Sequence, residues 1–479
     1  MADQRNVDTK RDDEEVCTAA ARLGPRYMAV YSNAWFQVVL ISFICFCCPG
    51  MYNALTGMGG SGQVDETVAA NANVALLSAT AATALFLAGP IFSIIGPRAC
   101  WLVGGWTYAL YSASLLNFNI RSNGTFVIAA GAILGVGASF LWVAQGAIMT
   151  SYVPESQKGR AIAVFWIIFN LGGMIGSLVS FGLNFHSQSG TVSNSTYIAT
   201  MVIMLFGWVI GVFICPPTRI RLVQLNEAEN KVVHQTVGDK ARTIAKTLFT
   251  FKVICVLPLF FCANVFYSYQ QNNVNGTTFN IRTRSLNSAI YWMAQMFGGL
   301  FMGEALDARF LNRRQRAWVG WAILMVTGMV IWGGGYAFQK WEDERLAQGF
   351  KQDIDYAQNA NIAVGPIFLY FFYGAYDALW QSFCYWLIGT MSNSAAVTAV
   401  LVGAYKAFQA AGGAMAWRIN ALQKSPMTQL GMDWGLCIGA LVLALPTVWS
   451  VTLTSVSHNS DGDEDLKKDG LESKDCVSK

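Results

Sequence analysis

Charge is what this chain has least of. Asp, Glu, Lys and Arg together make up 13% of its 479 residues, against roughly 25% in an average soluble domain. Such scarcity excludes a disordered chain and an ordinary soluble enzyme. The charge is also nearly balanced, with 32 basic against 28 acidic residues and a net +4. That excess is too small to suit nucleic acid or another polyanionic partner. Histidine is almost missing: His186, His234 and His458 stand far apart and make no zinc set. No G-x-x-x-x-G-K-[ST] occurs, which excludes an ATP-driven pump of the P-loop type. No nucleophile and base stand together, so no enzyme, cofactor or metal is expected. The first 32 residues lack a short apolar stretch followed by a cleavage site. No cleavable signal peptide is therefore expected, and the first apolar span should act as the anchor.

What fills the chain instead is apolar. Hydrophobic residues are 54% of it and the mean hydropathy is +0.39. Crossing a hydrocarbon core of about 30 Å takes roughly 20 apolar residues. Twelve stretches qualify, near 33–53, 70–95, 99–119, 126–150, 161–185, 196–215, 249–270, 287–305, 317–338, 362–384, 394–416 and 432–454. The expectation is an all-α polytopic membrane protein. Pairs such as Gly172-Gly173 and Gly412-Gly413 suit close helix contact in lipid.

Lys and Arg set the orientation. With the N-terminus placed inside, inner segments carry 22 of the 32 basic residues, outer loops carry 8, and Lys252 and Lys406 fall within spans. Both termini are thus expected in the cytoplasm. Three N-x-[ST] sequons, at Asn123, Asn194 and Asn275, all fall in expected outer loops, where glycosylation is possible. None of the eleven cysteines does, so no structural disulfide is expected.

Domain boundaries follow. Residues 1–32 and 455–479 read as cytoplasmic tails. Residues 33–215 and 249–454 form two six-helix sets, joined by a basic cytoplasmic linker at 216–248 that opens with Pro216-Pro217. This is the layout of the major facilitator superfamily, whose halves pseudo-repeat. A faint repeat is visible, since Leu141-Trp142 leads to Gly172-Gly173 much as Leu379-Trp380 leads to Gly412-Gly413. An inner-gate signal lies between the second and third spans of the C-terminal half: Gly303-Glu-Ala-Leu-Asp307-Ala-Arg309, then Arg313-Arg314. Asp307 held by these arginines would latch the gate; plain positive-inside charge is the alternative. The N-terminal counterpart ends in Arg98 but has Ser93 where an acid is expected, so that latch is weaker.

Several stretches resemble the Unc-93-like family, especially its fungal branch. They are Pro49-Gly-Met-Tyr-Asn53, Leu141-Trp-Val-Ala-Gln145, Phe165-Trp-Ile-Ile-Phe-Asn170, Phe371-Phe-Tyr-Gly-Ala-Tyr-Asp377-Ala-Leu-Trp-Gln381, and Tyr405-Lys406-Ala-Phe-Gln409 with Trp417-Arg418. The resemblance implies a twelve-span major-facilitator fold. It implies function less sharply: some members look like channel regulators or escorts of other membrane proteins, and fungal relatives can accompany secondary-metabolite pathways.

Asp377 and Lys406 are the sharpest local signal. An ionisable residue at mid-membrane costs about 2.5–3.5 kcal/mol on insertion scales. Asp377 lies 14 residues before Met391 and Lys406 lies 13 after Asn393, which puts both roughly 20 Å from the turn between their helices. They are expected to pair or to face one wet cavity, as a coupling or substrate site or as a structural ion pair. Gln145, Asn170, Gln295, Gln381 and Gln409 are further cavity candidates, and interhelical bonding is their alternative role. Glu304, Asn33, Gln37 and Asn53 are weaker candidates of the same kind. Aromatic residues crowd Tyr370–Tyr376 beside Asp377, suiting a flat organic solute or plain packing.

Other signals are bland. Gly57-Met-Gly-Gly-Ser-Gly62 matches G-x-G-x-x-G but follows a membrane helix and not a strand. Cys45, Cys47 and Cys48 suit apolar packing. The charged segment 339–360 is expected to be a solvated outer helix, with a partner-binding surface as the alternative. Two readings therefore stand: a transporter-like protein moving a small organic solute or ion by alternating access, or an accessory protein that binds another membrane protein.

Overall fold

The computed structural model describes residues 30–63, 66–153, 158–187, 191–216, 219–220, 246–391 and 395–452. The expected tails and linker fall almost wholly outside these residues. The described residues form helices joined by loops, and the strand-like pairing among them is an isolated bridge between Phe279 and Ile354. In order, the helices are α1 (Ala34–Gly57), α2 (Thr67–Phe86), α3 (Ala88–Gly104), α4 (Trp106–Arg121), α5 (Gly124–Ser151), α6 (Lys158–Leu183) and α7 (Asn194–Ile210), then α8 (Phe251–Gly276), α9 (Ile281–Asp307), α10 (Arg313–Ala347), α11 (Ala360–Met391), α12 (Ala395–Ala421), α13 (Pro426–Leu443) and the short α14 (Leu445–Trp449).

Among the described residues, nine helical stretches are long and apolar enough to cross a bilayer. The others differ for visible reasons. α3 and α4 have 17 and 16 residues, and α3 turns at Gly96, whose φ of 73° leaves the helical region. α9 and α12 have 27 residues each but are less apolar, with Asn287 and Gln295 within α9 and Lys406 and Gln409 within α12.

Asparagine starts many of these helices. Asn33, Asn123 and Asn280 accept hydrogen bonds from first-turn N–H groups of α1, α5 and α9. Asn312 and Gln315 form a reciprocal capping box at α10. Such caps satisfy donors that lipid cannot.

Most of the apolar core lies in two clusters. One cluster runs from Val38 to Ile220 and takes in Ile281; the other runs from Val253 to Val451. The first helix of each bundle packs against a glycine, α1 against α6 and α8 against α12. The backbone of Phe46 lies where a side chain at Gly172 would be, and that of Phe261 where one at Gly412 would be. The neighbouring Gly173 and Gly413 instead face Trp292 and Leu77 of the opposite bundle.

The helix bundle has two distinct ends. α1 begins where α7 finishes: Gln37 donates to the Phe213 carbonyl at 3.2 Å and accepts from the Cys215 N–H at 2.8 Å. Arg98 joins them, donating to the Ile214 carbonyl at 2.7 Å and to the Tyr31 hydroxyl. This is the near end. The opposite, far end carries the 57–63 loop and the starts of α9 and α11.

Three expectations are corrected. Asp307 and Arg309 are both exposed, and among the described residues no ion pair joins Asp307 to any base. The neighbouring arginines hold backbone and rings instead: Arg316 donates to the Ala308 and Leu311 carbonyls, Arg313 donates to the Gly389 carbonyl, and Arg314 lies over Trp449. Segment 339–360 is not a free helix. α10 ends at Ala347, and the chain then straps back across the start of α9, through Gln352 N–H to Thr277 O at 2.7 Å and Asn280 N–H to Ile354 O at 3.1 Å. Asp355 clamps this strap, accepting from Arg282 Nε at 2.6 Å and from Asn280 Nδ2 at 2.5 Å. Finally, the Asn275 sequon is not in an open loop. Asn275 is fully buried, and its amide nitrogen donates to the Gly57 carbonyl at 2.8 Å and the Arg284 carbonyl at 3.0 Å. Asn123 and Asn194 are exposed.

Candidate functional site

Asp377 and Gln381 sit one helical turn apart on α11, so both present to one side of it. Asp377 is wholly buried. Its Oδ2 accepts from the Tyr267 hydroxyl of α8 at 2.5 Å and from Gln295 Nε2 of α9. Its Oδ1 accepts from Gln381 Nε2 at 2.8 Å. Three donors on one carboxylate satisfy a group that would be costly unpaired in the membrane.

The expected contact between Asp377 and Lys406 is not direct. Lys406 Nζ donates to Gln409 Oε1 at 3.0 Å. Gln409 Nε2 donates to Gln381 Oε1 at 3.3 Å, and Gln381 in turn reaches Asp377. The base and the acid are therefore ends of one chain that runs through two amides. The reason is local. Gln381 follows Asp377 by four residues and Gln409 follows Lys406 by three, so each charge has an amide on its own helix face. These amides fill the space between α11 and α12. Asn264 on α8 accepts from Gln409 at 3.0 Å and completes the set.

Lys406 is half-buried and lies in an aromatic box. Its ammonium is 5.2 Å from the Tyr405 ring, 5.6 Å from Tyr385 and 5.4 Å from Trp142, all within cation–π range. Trp142 belongs to the opposite bundle, as does Trp166, whose ring lies 6.2 Å from that of Tyr385. The polar chain thus ends where the two bundles meet.

Of the candidates named from sequence, Asp377, Gln381, Gln295, Gln409 and Lys406 are brought together. Gln145 is half-buried on α5 and Asn170 is buried on α6 with its amide oxygen lacking a partner among the described residues; neither joins the chain. Glu304 is exposed. The helix does distort at Pro49-Gly50, as a π turn over Phe46–Gly50. Beyond it, the Asn53 carbonyl accepts from Trp292 Nε1 at 3.2 Å.

A second polar assembly closes the far end. Arg284 of α9 is completely buried. It donates to three backbone carbonyls of the opposite bundle: Met58 at 2.6 Å, Gly59, and Gln63 at 3.2 Å. The loop offers these carbonyls because Gly59, Gly60, Ser61 and Gly62 all take positive φ, at 74°, 52°, 51° and 84°. Glycine adopts that region freely, and a side chain at Gly59 would run into the Gln271 carbonyl. Asn272 Oδ1 accepts from the Gly60 N–H at 2.8 Å, and the Tyr370 hydroxyl donates to the Gly57 carbonyl at 2.8 Å. Further out, Gln423 donates to Thr67 at 3.1 Å and Arg418 to Asn71 at 3.2 Å. Hydrogen bonds between the bundles cluster at this end.

Sequence reasoning missed this seal. Arg284 counted only as an outer-loop charge, and the glycine loop as a failed nucleotide motif beside a family-like stretch. One signal was available: five amides among the eight residues Tyr269–Gly276 (YQQNNVNG), which form a buried π-helical run. π turns are frequent at functional positions. At the near end, a cavity of about 280 Å³ is lined by Lys246, Thr250, Lys252 and Met391 among others. Lys252, expected within a span, is exposed there.

The family model described as "Ion channel regulatory protein UNC-93" matches residues 66–333. UNC93-like protein 1 of Arabidopsis thaliana is 39% identical over 463 residues, covering 95% of this chain and 99% of the relative. An UNC93-like protein of Schizosaccharomyces pombe is 39% identical over 93% of this chain and 87% of its own length. Notoamide biosynthesis cluster protein O' of Aspergillus versicolor is 24% identical over 95% of this chain and 97% of the relative. Among solved structures, the xylose transporter XylE from E. coli, in a partially occluded inward open conformation, superposes with a TM-score of 0.56 at 14% identity, covering 89% of this chain and 99% of that one. A major facilitator superfamily proton:xylose symporter structure gives 0.61 at 12% identity, over 86% of this chain and 95% of that one. These structures establish a major-facilitator-like fold, and so a multi-pass protein of the lipid bilayer. Matched by the family model over more than half its length, and by relatives at 39% identity along nearly all of it, the chain belongs to the UNC-93 family.

Proposed function

We propose that this chain is a secondary transporter that moves a small organic solute or ion by alternating access. It would cross the membrane twelve times as two six-helix bundles, with both termini on the cytoplasmic side. One observation carries the reading: Lys406 stands at the junction of the bundles, against Trp142, and connects through Gln409 and Gln381 to the buried Asp377. A charge that served only to fix register inside one bundle would have no need to face the other. The clustering of inter-bundle bonds at the far end supports a conformation closed there, from which the near end would be the side of access.

The test is uptake or efflux in vesicles reconstituted with the purified chain and screened against organic ions and alkali cations. Saturable flux is expected, falling at least tenfold in Asp377→Asn and in Lys406→Met while the variants keep the wild-type unfolding temperature. Flux that survives both substitutions overturns the site.

The family description favours a second reading, in which the chain regulates a channel. The strap over α9 clamped by Asp355 offers a surface for such a partner. Absence of flux for every solute, together with co-purification of one membrane protein that is lost when residues 348–359 are replaced, would decide for it.

A further inference from the structure

A second buried acid lies outside the Asp377 chain. Asp433, on α13, is fully buried, and among the described residues neither carboxylate oxygen has a hydrogen-bond partner. Two other polar atoms in this part of the C-terminal core are likewise unpartnered: the Tyr373 hydroxyl of α11 and the Trp332 indole N–H of α10, whose rings lie 5.3 Å apart.

The titratable groups facing Asp433 are few. From α8 they are Tyr269 and Cys262, from α11 Tyr373, and from its own helix Cys437. None is a base. An ionised carboxylate here would have no counter-charge, and isolating one from water costs several kcal/mol. Nor do the surroundings suit a metal ion. A hard cation asks for six or more oxygen ligands, and two phenols, two thiols and an indole do not supply them. The ligand that fits is the smallest cation, which turns the acid into a neutral donor.

A polar route leads outward from this spot. The Tyr373 ring meets the Tyr269 ring edge-on at 6.4 Å. The Tyr269 hydroxyl donates to Gln339 Oε1 at 2.8 Å, and Gln339 Nε2 donates to Asp343 Oδ1 at 2.7 Å. Asp343 is half-buried toward the far end of α10.

We propose that Asp433 is a proton-binding site, occupied in this far-end-closed conformation and reached from the far end past Asp343, Gln339, Tyr269 and Tyr373. The proton comes from bulk water and binds a carboxylate oxygen; no other bond changes. The site stands whether or not the chain transports, because it rests on the packing of α8, α10, α11 and α13 alone.

Infrared spectroscopy of the full chain in lipid nanodiscs at neutral pH tests it. The wild-type minus Asp433→Asn difference should show a carboxylic-acid C=O stretch belonging to the wild type, and Asp377→Asn should leave that band in place. A difference that contains only carboxylate stretches means that Asp433 is ionised and overturns the proposal. The unfolding temperature gives a second reading. A group that keeps its proton when folded and loses it when unfolded destabilises the fold as pH rises above about 4. Asp433→Asn should therefore unfold at a higher temperature than wild type at pH 8 and at the same temperature at pH 4. A lower temperature at pH 8 overturns the proposal. If the asparagine variant yields no protein, Asp433→Glu carries the test: the acid band should persist at a shifted frequency, and its replacement by carboxylate bands would overturn the site.

Discussion

Arg284 concentrates much of the far-end seal in one side chain. Its guanidinium serves three carbonyls at once, which a lysine cannot match in geometry. Hydrogen bonds from charged groups contribute about 1.5–3 kcal/mol each. Arg284→Gln is expected to lower stability by on the order of 3 kcal/mol, and Arg284→Lys by less, in thermal or denaturant unfolding of purified protein. Gly59→Ala should act in the same direction, because it combines a strained φ with a clash against Gln271. The sequons separate on the same scale. In a glycosylating host, a mobility shift on deglycosylation should shrink in Asn194→Gln and survive unchanged in Asn275→Gln, since the Asn275 amide nitrogen already donates twice inside the core.

At the scale of elements, the strap after α10 has its own pH dependence. Burial works to raise the Asp355 carboxyl, but the hydrogen bonds from Arg282, the Ala357 N–H and Asn280 outweigh it. They hold the group below the usual carboxylate range. A carboxyl lowered in the folded state gives stability that is complete above its unfolded value, near 4, and is lost as pH falls through the folded value. Protection of the Ile354 and Asn280 amides from hydrogen exchange, relative to their intrinsic rates at each pH, should therefore fall below about pH 4. Arg282→Gln should bring that loss of protection to neutral pH, at a cost of roughly 1–2 kcal/mol. The elements also explain what the sequence made legible. Helix positions followed from hydropathy, and the Gly96 turn falls between the second and third expected spans. Helical rise along α11 and α12 was enough to expect Asp377 and Lys406 near each other. The amides between them did not follow, because rise along two helices says nothing of rotation about each axis. Asp433 stayed hidden for a related reason. The helix around it is apolar enough to pass as a span, and one acid near its start reads as an edge residue until the packing of α8 and α10 covers it.

For the whole molecule, the telling feature is two cores with few polar ties except at one end. If the bundles rock, that end must come apart. Thr67→Cys combined with Gln423→Cys, joined by a short bismaleimide, is expected to abolish vesicle flux while raising the unfolding temperature. Flux that persists in the linked protein would count against rocking motion. Charge counting placed Arg284 outside and could not see the seal, because it registers where a charge lies along the chain and not which carbonyls of the other bundle it meets.

The Arg284 seal grips main-chain oxygens of the loop at three points. Side-chain changes that keep the backbone curl would leave those acceptors in place. To let go, Arg284 must lose several acceptors together, since one curl of backbone presents them as a unit. Release would then be a single abrupt event, and a half-opened far end would be the rarest state of the cycle.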